Sequence, residues 1–153
     1  MNRPSIALAL LLLFGASAVG ADGQTRSVPM MRLTASTEIA APPAAVWAVV
    51  TTGRNLVTWC PVWKSVKNGA VNLTRVGDVL EYTDEWGHGG RSIVTYLVKD
   101  RELRVAHEPD DGSYVCQARF SIARSGKGSN VTWLEQYTDE SVAKDAEATF
   151  AKM

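Results

Sequence analysis

Two histidines, two cysteines, four tyrosines and five tryptophans are the residues of this chain with the most chemistry to offer. His107 stands in Val105-Ala-His-Glu108, an alternating stretch that places it on the apolar side. A neutral imidazole there can act as a general base or polarise a carbonyl. No nucleophile or oxyanion device accompanies it, so a hydrogen-bonded core histidine is the simpler reading. No catalytic residue is assigned, and His107 is the candidate. His88 lies among glycines in Asp84-Glu-Trp-Gly-His-Gly-Gly-Arg91, a loop tip where a histidine is ordinarily solvated. Asp84 and Glu135 are acidic residues on an otherwise apolar face, but the strands expected to carry them are far apart, which argues against an acid-base pair. His88, His107, Cys60 and Cys116 show neither CxxC nor HxxxH spacing, so no metal is expected, and no cofactor is implied.

The aromatic residues have more to do. Trp59, Trp63, Trp86 and Trp133 with Tyr82, Tyr96, Tyr114 and Tyr137 offer flat apolar walls with polar tips, suited to stacking a ring while bonding its oxygens. Trp47 falls on the apolar side of a short helical segment and reads as core.

The elements that position these groups follow from pattern and turn chemistry. Leu33 to Ala40 alternates as a strand, Pro42 and Pro43 suit a helix start, and helical segments are expected at 44–51 and 55–59. Strands are expected at 63–70, 77–86, 90–99, 102–108, 113–124 and 129–138, followed by a helix over 140–153 with Val142, Ala146, Thr149, Phe150 and Met153 along one face. Four hairpin turns then set the register, pairing Trp86 with Gly90, Lys99 with Glu102, Glu108 with Ser113 and Arg124 with Ser129. The inner face so defined carries Tyr82, Asp84, Trp86, Tyr96, His107, Tyr114, Cys116, Trp133, Glu135 and Tyr137. Buried polar groups need partners, so this face is expected to line a cavity.

Composition bounds the function. With 153 residues, 46% hydrophobic and 21% charged, the chain suits one globular domain. Sixteen basic and sixteen acidic residues leave no electrostatic footprint for nucleic acid. Arg3, the apolar run Ile6 to Phe14 and the small residues Ala16 to Ala21 read as a signal peptide over 1–21, followed by a flexible lead-in over 22–32 and the ligand-binding domain over 33–153. Export to a secreted or periplasmic location is expected, with no stable membrane span after cleavage. In that setting Cys60 and Cys116 are either bridged or two small buried hydrophobes. The oligomeric state is open.

The run Ile39-Ala-Ala-Pro-Pro-Ala-Ala-Val-Trp47, then Trp59-Cys-Pro61, then a meander of strands and a last helix resembles the START-like or SRPBCC superfamily, in particular its polyketide cyclase/dehydrase and lipid-transport branch. The resemblance implies an α+β helix-grip fold, with about seven antiparallel strands curled around a C-terminal helix and two short helices after the first strand. It also implies a hydrophobic cavity between sheet and helix that binds a lipid, quinone, polyketide or aromatic metabolite, and in a minority of members catalyses cyclisation or dehydration. The family's last helix is usually longer than Glu140 to Met153 can form, so a short helix and an open pocket, or a piece of a longer chain, are both expectations. The ligand-binding set expected is Trp59, Tyr82, Trp86, Tyr96, His107, Tyr114, Cys116, Trp133, Glu135 and Tyr137.

Overall fold

The computed structural model describes residues 31–60, 62–69 and 71–150, so the expected signal segment and most of the lead-in lie outside the described residues. The side chains of Thr149, Phe150 and Met153, expected on the last helix's apolar face, lie outside them as well.

Strand β1 spans Met31–Ile39, beginning two residues before the alternation at Leu33. Pro42, extended at φ −66° and ψ 155°, ends it and leads into α1 (Pro43–Val50), with Pro43 in the first turn where a missing N–H costs nothing. Val46, Trp47 and Val50 face the core, as the period requires for Trp47. Helix α2 (Gly53–Trp59) follows after a two-residue break. Gly53 is needed there, since a Cβ would stand 2.8 Å from Leu80 Cδ2 and 2.9 Å from the Val71 carbonyl oxygen.

The meander comprises β2 (Trp63–Val66), β3 (Val79–Asp84), β4 (Gly89–Val98), β5 (Glu102–Pro109), β6 (Cys116–Ser125) and β7 (Gly128–Tyr137), and α3 (Glu140–Phe150) closes the order. All neighbours are antiparallel in one sheet ordered β1-β7-β6-β5-β4-β3-β2. The sheet curls into a half-barrel whose inner face packs on α1 and α2 at one end and on α3 at the other. This is the helix-grip α+β architecture. The Asp139 carboxylate starts α3 by accepting from the Ser141 and Val142 N–H groups at 2.8 and 3.2 Å.

The hairpins explain which side chains point inward. Between β6 and β7 the register is as expected, Arg124 opposite Ser129, with Gly126 at φ 55° in a two-residue turn. Between β5 and β6 the last pair is His107 with Cys116, so the connection is longer than expected and Tyr114 leaves the strand for the loop, although facing is preserved. Between β3 and β4 the turn lies closer to β3, with Thr83 opposite Gly89. There the Asp84 carboxylate accepts from the N–H groups of Trp86 and His88 at 3.0 and 2.7 Å, which favours a loop over further strand. Trp86 is therefore a loop residue, 53% exposed, and not part of the inner row.

One expectation of facing fails. Val98, not Lys99, pairs with Glu102, which leaves Asp100 in the left-handed region at φ 60° within a three-residue loop. A bulge at Thr95 then restores the original phase, since Val94 pairs with Val105 but Tyr96 pairs with Arg104. Between the turn and the bulge every side chain is flipped. Tyr96 lies on the outer face, 42% exposed, with the Arg104 guanidinium carbon 4.6 Å above its ring, and Leu97 takes the inward place.

Candidate functional site

The inner face opens into a cavity of about 460 Å³ bounded by the sheet, the Cys60–Trp63 link and α3. Each wall has a local cause. From the sheet come Tyr82 on β3, His107 on β5, Cys116 on β6 and Glu135 and Tyr137 on β7, all in phase with the pleat. Tyr114 enters from the loop before β6, and Trp86 and His88 from the loop after β3. Cys60 and Val62 enter from the link, which is tied to the β3–β4 loop by the Glu85 N–H donating to the Val62 carbonyl at 2.9 Å, and Trp63 enters from the start of β2. Val142, Asp145 and Ala146 on α3 complete the wall.

The aromatic groups are mutually fixed. Trp63 stacks on Tyr82 at 4.9 Å between centroids and 14° between planes, and the His107 ring stands edge-on to both. Tyr82 folds back over Gly90 across the hairpin, where any Cβ would fall on its phenol. The Tyr82 and Tyr114 phenols are close enough to influence each other's ionisation, and Tyr114 tilts against Tyr137 at 6.2 Å. Tyr137 donates to Glu135 Oε2 in a short hydrogen bond. His107 Nδ1 and Ser92 Oγ share a hydrogen bond of 2.6 Å.

Burial sets the protonation states. It drops His107 to about 4, so the imidazole is neutral. It lifts the Glu135 carboxyl to about 7, against the opposing pull of Tyr137 and Trp133. Burial likewise pushes the Cys60 thiol up to about 12 and raises the Cys116 thiol and the Tyr82, Tyr114 and Tyr137 hydroxyls. Asp84, 6% exposed, spends its oxygens on Trp86 N–H, His88 N–H and the His88 ring at 3.3 Å, a turn-fixing role. The chemistry available is that of a largely apolar pocket with phenols, a neutral imidazole and a carboxyl aimed inward.

Seven of the ten expected ligand-binding residues meet here: Tyr82, Trp86, His107, Tyr114, Cys116, Glu135 and Tyr137. Tyr96 does not, because the bulge turns it outward. Trp59 and Trp133 pack edge-to-face at 5.6 Å, each also against Phe120, and wall a second, apolar cleft of about 580 Å³ beneath α1 and β1. Cys60, Val62, Trp63, Asp84, His88, Ser113 and the α3 residues lie outside the expected set, although the sequence singles out Trp63 as an aromatic wall. Of these, the sequence pattern puts Asp84 on the inner face and Val142 and Ala146 on the apolar side of the last helix. The Cys60–Trp63 link has no period, so its side chains carried no facing signal. Cys60 and Cys116 are both free and buried. The donor atoms of His107, Cys116 and Glu135 lie within 4.8 Å of one another, a cluster that no linear spacing rule could reveal because its members come from three strands.

A half-barrel gripping a helix over such a cavity defines the START-like class. Residues 30–153 match the family model for polyketide cyclase/dehydrase and lipid transport, and the chain belongs to that family. Solved structures share the fold at low identity. Protein CV1439 from Chromobacterium violaceum is 16% identical with a TM-score of 0.64, covering 78% of this chain and 89% of that one. CalU16 from Micromonospora echinospora is 13% identical with a TM-score of 0.57, covering 81% and 80%. DynU16, from the dynemicin biosynthetic locus, is 15% identical with a TM-score of 0.61, and the match covers 78% of this chain and 43% of the DynU16 chain. No curated protein sequence matches the chain.

Proposed function

We propose that the protein is an exported carrier that holds an uncharged, oxygen-bearing hydrophobic molecule, such as a quinone, polyketide or other aromatic metabolite, in the cavity between sheet and α3. The observation that carries this reading is the lining itself. The phenols of Tyr82, Tyr114 and Tyr137 and the neutral His107 lie among Val62, Trp63, Trp86, Val142 and Ala146 in one space of about 460 Å³. Phenols donate to carbonyl or hydroxyl oxygens, while Trp63 and Tyr82 already present a stacked aromatic wall. Among the described residues no lysine or arginine lines the cavity. An anionic head buried there would lack a countercharge, which disfavours free fatty acids. Among the described residues no helix is long and apolar enough to cross a membrane.

The carrier reading is tested by extracting the purified protein and by titrating it, after EDTA treatment, with a quinone, a neutral polyphenol and a fatty acid while following tryptophan fluorescence. Saturable quenching by the neutral ring compounds and weaker binding of the fatty acid are expected; no binding by any of them overturns it. Export is tested separately by mass spectrometry of the secreted N-terminus, where retention of Met1 would refute cleavage. A second reading, a cyclase or dehydrase, is favoured by one observation, the neutral His107 held by Ser92 at 2.6 Å. It requires that His107→Ala abolish conversion of a bound ligand, and unchanged conversion would sink it.

A further inference from the structure

We propose that His107, Cys116 and Glu135 bind a single divalent transition-metal ion, zinc being the best match, with one coordination position open to the cavity. The three side chains are brought together by register alone. His107 sits directly opposite Cys116 across β5 and β6. Glu135 sits opposite Ala118, two residues along the same face from Cys116. Their donor atoms lie within 4.8 Å of one another. With bonds of about 2.0–2.3 Å to nitrogen, oxygen and sulfur, neighbouring ligands in a tetrahedral zinc site are about 3.3–3.7 Å apart. Closing the gap asks for movements of about 1 Å per side chain, within reach of small rotamer adjustments.

Three further features fit an ion. The imidazole Nδ1 is engaged by Ser92 Oγ, which leaves Nε2 as the ring nitrogen facing a ligand, the arrangement that orients metal-binding histidines. Tyr137 holds the Glu135 carboxyl in the same way. On binding, Cys116 releases its thiol proton and Glu135 any proton it holds to solvent, and one thiolate with one carboxylate then balances a dication, so no net charge is left buried. The mixed nitrogen, sulfur and oxygen donors select against calcium and magnesium, which take oxygen, and suit zinc or cobalt. Cys60 lines the same cavity but is not part of the cluster, so the fourth position falls to water or to an oxygen of a bound molecule. The site does not depend on the carrier reading, because cargo binding is measured on chelator-treated protein and metal binding on protein without cargo.

The test uses the purified chain without an affinity tag, treated with EDTA, dialysed and titrated with Co²⁺. One equivalent is expected to produce a thiolate-to-cobalt charge-transfer band in the near ultraviolet and intense visible bands, both bleached by Zn²⁺. Cys116→Ser should remove the charge-transfer band, while Cys60→Ser should leave it. Ser92→Ala, which removes a positioning residue, should weaken cobalt binding by about tenfold or more with the band shape kept. Should Cys116→Ser fail to fold, as judged by circular dichroism in EDTA, Glu135→Gln takes its place and must weaken binding by at least about tenfold. The absence of a saturable cobalt spectrum overturns the proposal, and so does a charge-transfer band that survives Cys116→Ser or is lost in Cys60→Ser.

Discussion

Replacing Glu135 with glutamine should reshape the pH dependence of stability in a way that exposes an opposing contribution from His107. Glu135 is 6% exposed, and its carboxyl rises from an ordinary value of 4.5 to about 7 in the folded chain. Between those values the folded state keeps a proton that the unfolded chain has released, so stability falls as pH rises through that window and stays low above about 7. The gap corresponds to roughly 3 kcal/mol. His107 works in the other direction. Its folded value of about 4 lies below the ordinary 6.5, so stability is full above 6.5 and is lost as pH falls towards about 4. From pH 4.5 to 6.5 the two slopes offset each other in the native protein. Glutamine fills nearly the same volume and its carbonyl accepts the Tyr137 hydroxyl, so Glu135→Gln removes one slope and keeps the packing. Urea unfolding of both proteins with EDTA present, at intervals from pH 4 to pH 8.5, measures the difference. The variant's advantage should grow by roughly 3 kcal/mol between pH 4.5 and pH 7.5, and its own stability should now climb from pH 4 to 6.5. A constant offset between variant and native protein across that range would refute the reasoning.

Gly90→Ala places a methyl group on the Tyr82 phenol and must displace it, so urea unfolding should show a loss of about 1–3 kcal/mol and ligand titration a weaker affinity. Trp63→Ala removes both the stack on Tyr82 and a cavity wall, and calorimetry should report a destabilisation of about 3 kcal/mol together with loss of quenching by bound quinone. Tyr96→Ala deletes an outer-face ring whose partner is Arg104, so stability should change by no more than about 1 kcal/mol and ligand affinity should not change at all. A drop in affinity for Tyr96→Ala would contradict the assigned facing.

The order of elements was legible because the chain declares it locally. Pro42 and Pro43 mark the passage from β1 to α1, and Gly126 permits the two-residue turn that fixes Arg124 opposite Ser129. The inner set on β3, β5, β6 and β7 was legible too, because shifts of register by an even number of residues leave facing unchanged. Tyr96 was misplaced because the three-residue loop at Asp100 and the bulge at Thr95 each move the phase by one, and neither leaves a mark in the alternation of Val94 to Val98. Trp86 was misplaced because the Asp84 side chain competes with the ladder for backbone N–H groups, a local effect that strand propensity does not see. Trp133 has the expected inward facing yet serves a different hollow with Trp59 of α2, since facing says which side of a sheet a residue occupies and not which part of the space above it. Cys60 and Val62 reach the cavity through a link whose path only tertiary packing decides.

The bulge at Thr95 has a mechanical consequence. It divides β4 into two halves of opposite phase, Gly89 to Val94 beside the cavity and Tyr96 to Val98 beside the Asp100 turn. An insertion or deletion of one residue in that turn can be absorbed where the strand is already out of step, without rotating Ser92 away from His107. The bulge is in effect a slip joint, so the distal hairpin is free to drift in length while the lining stays in register.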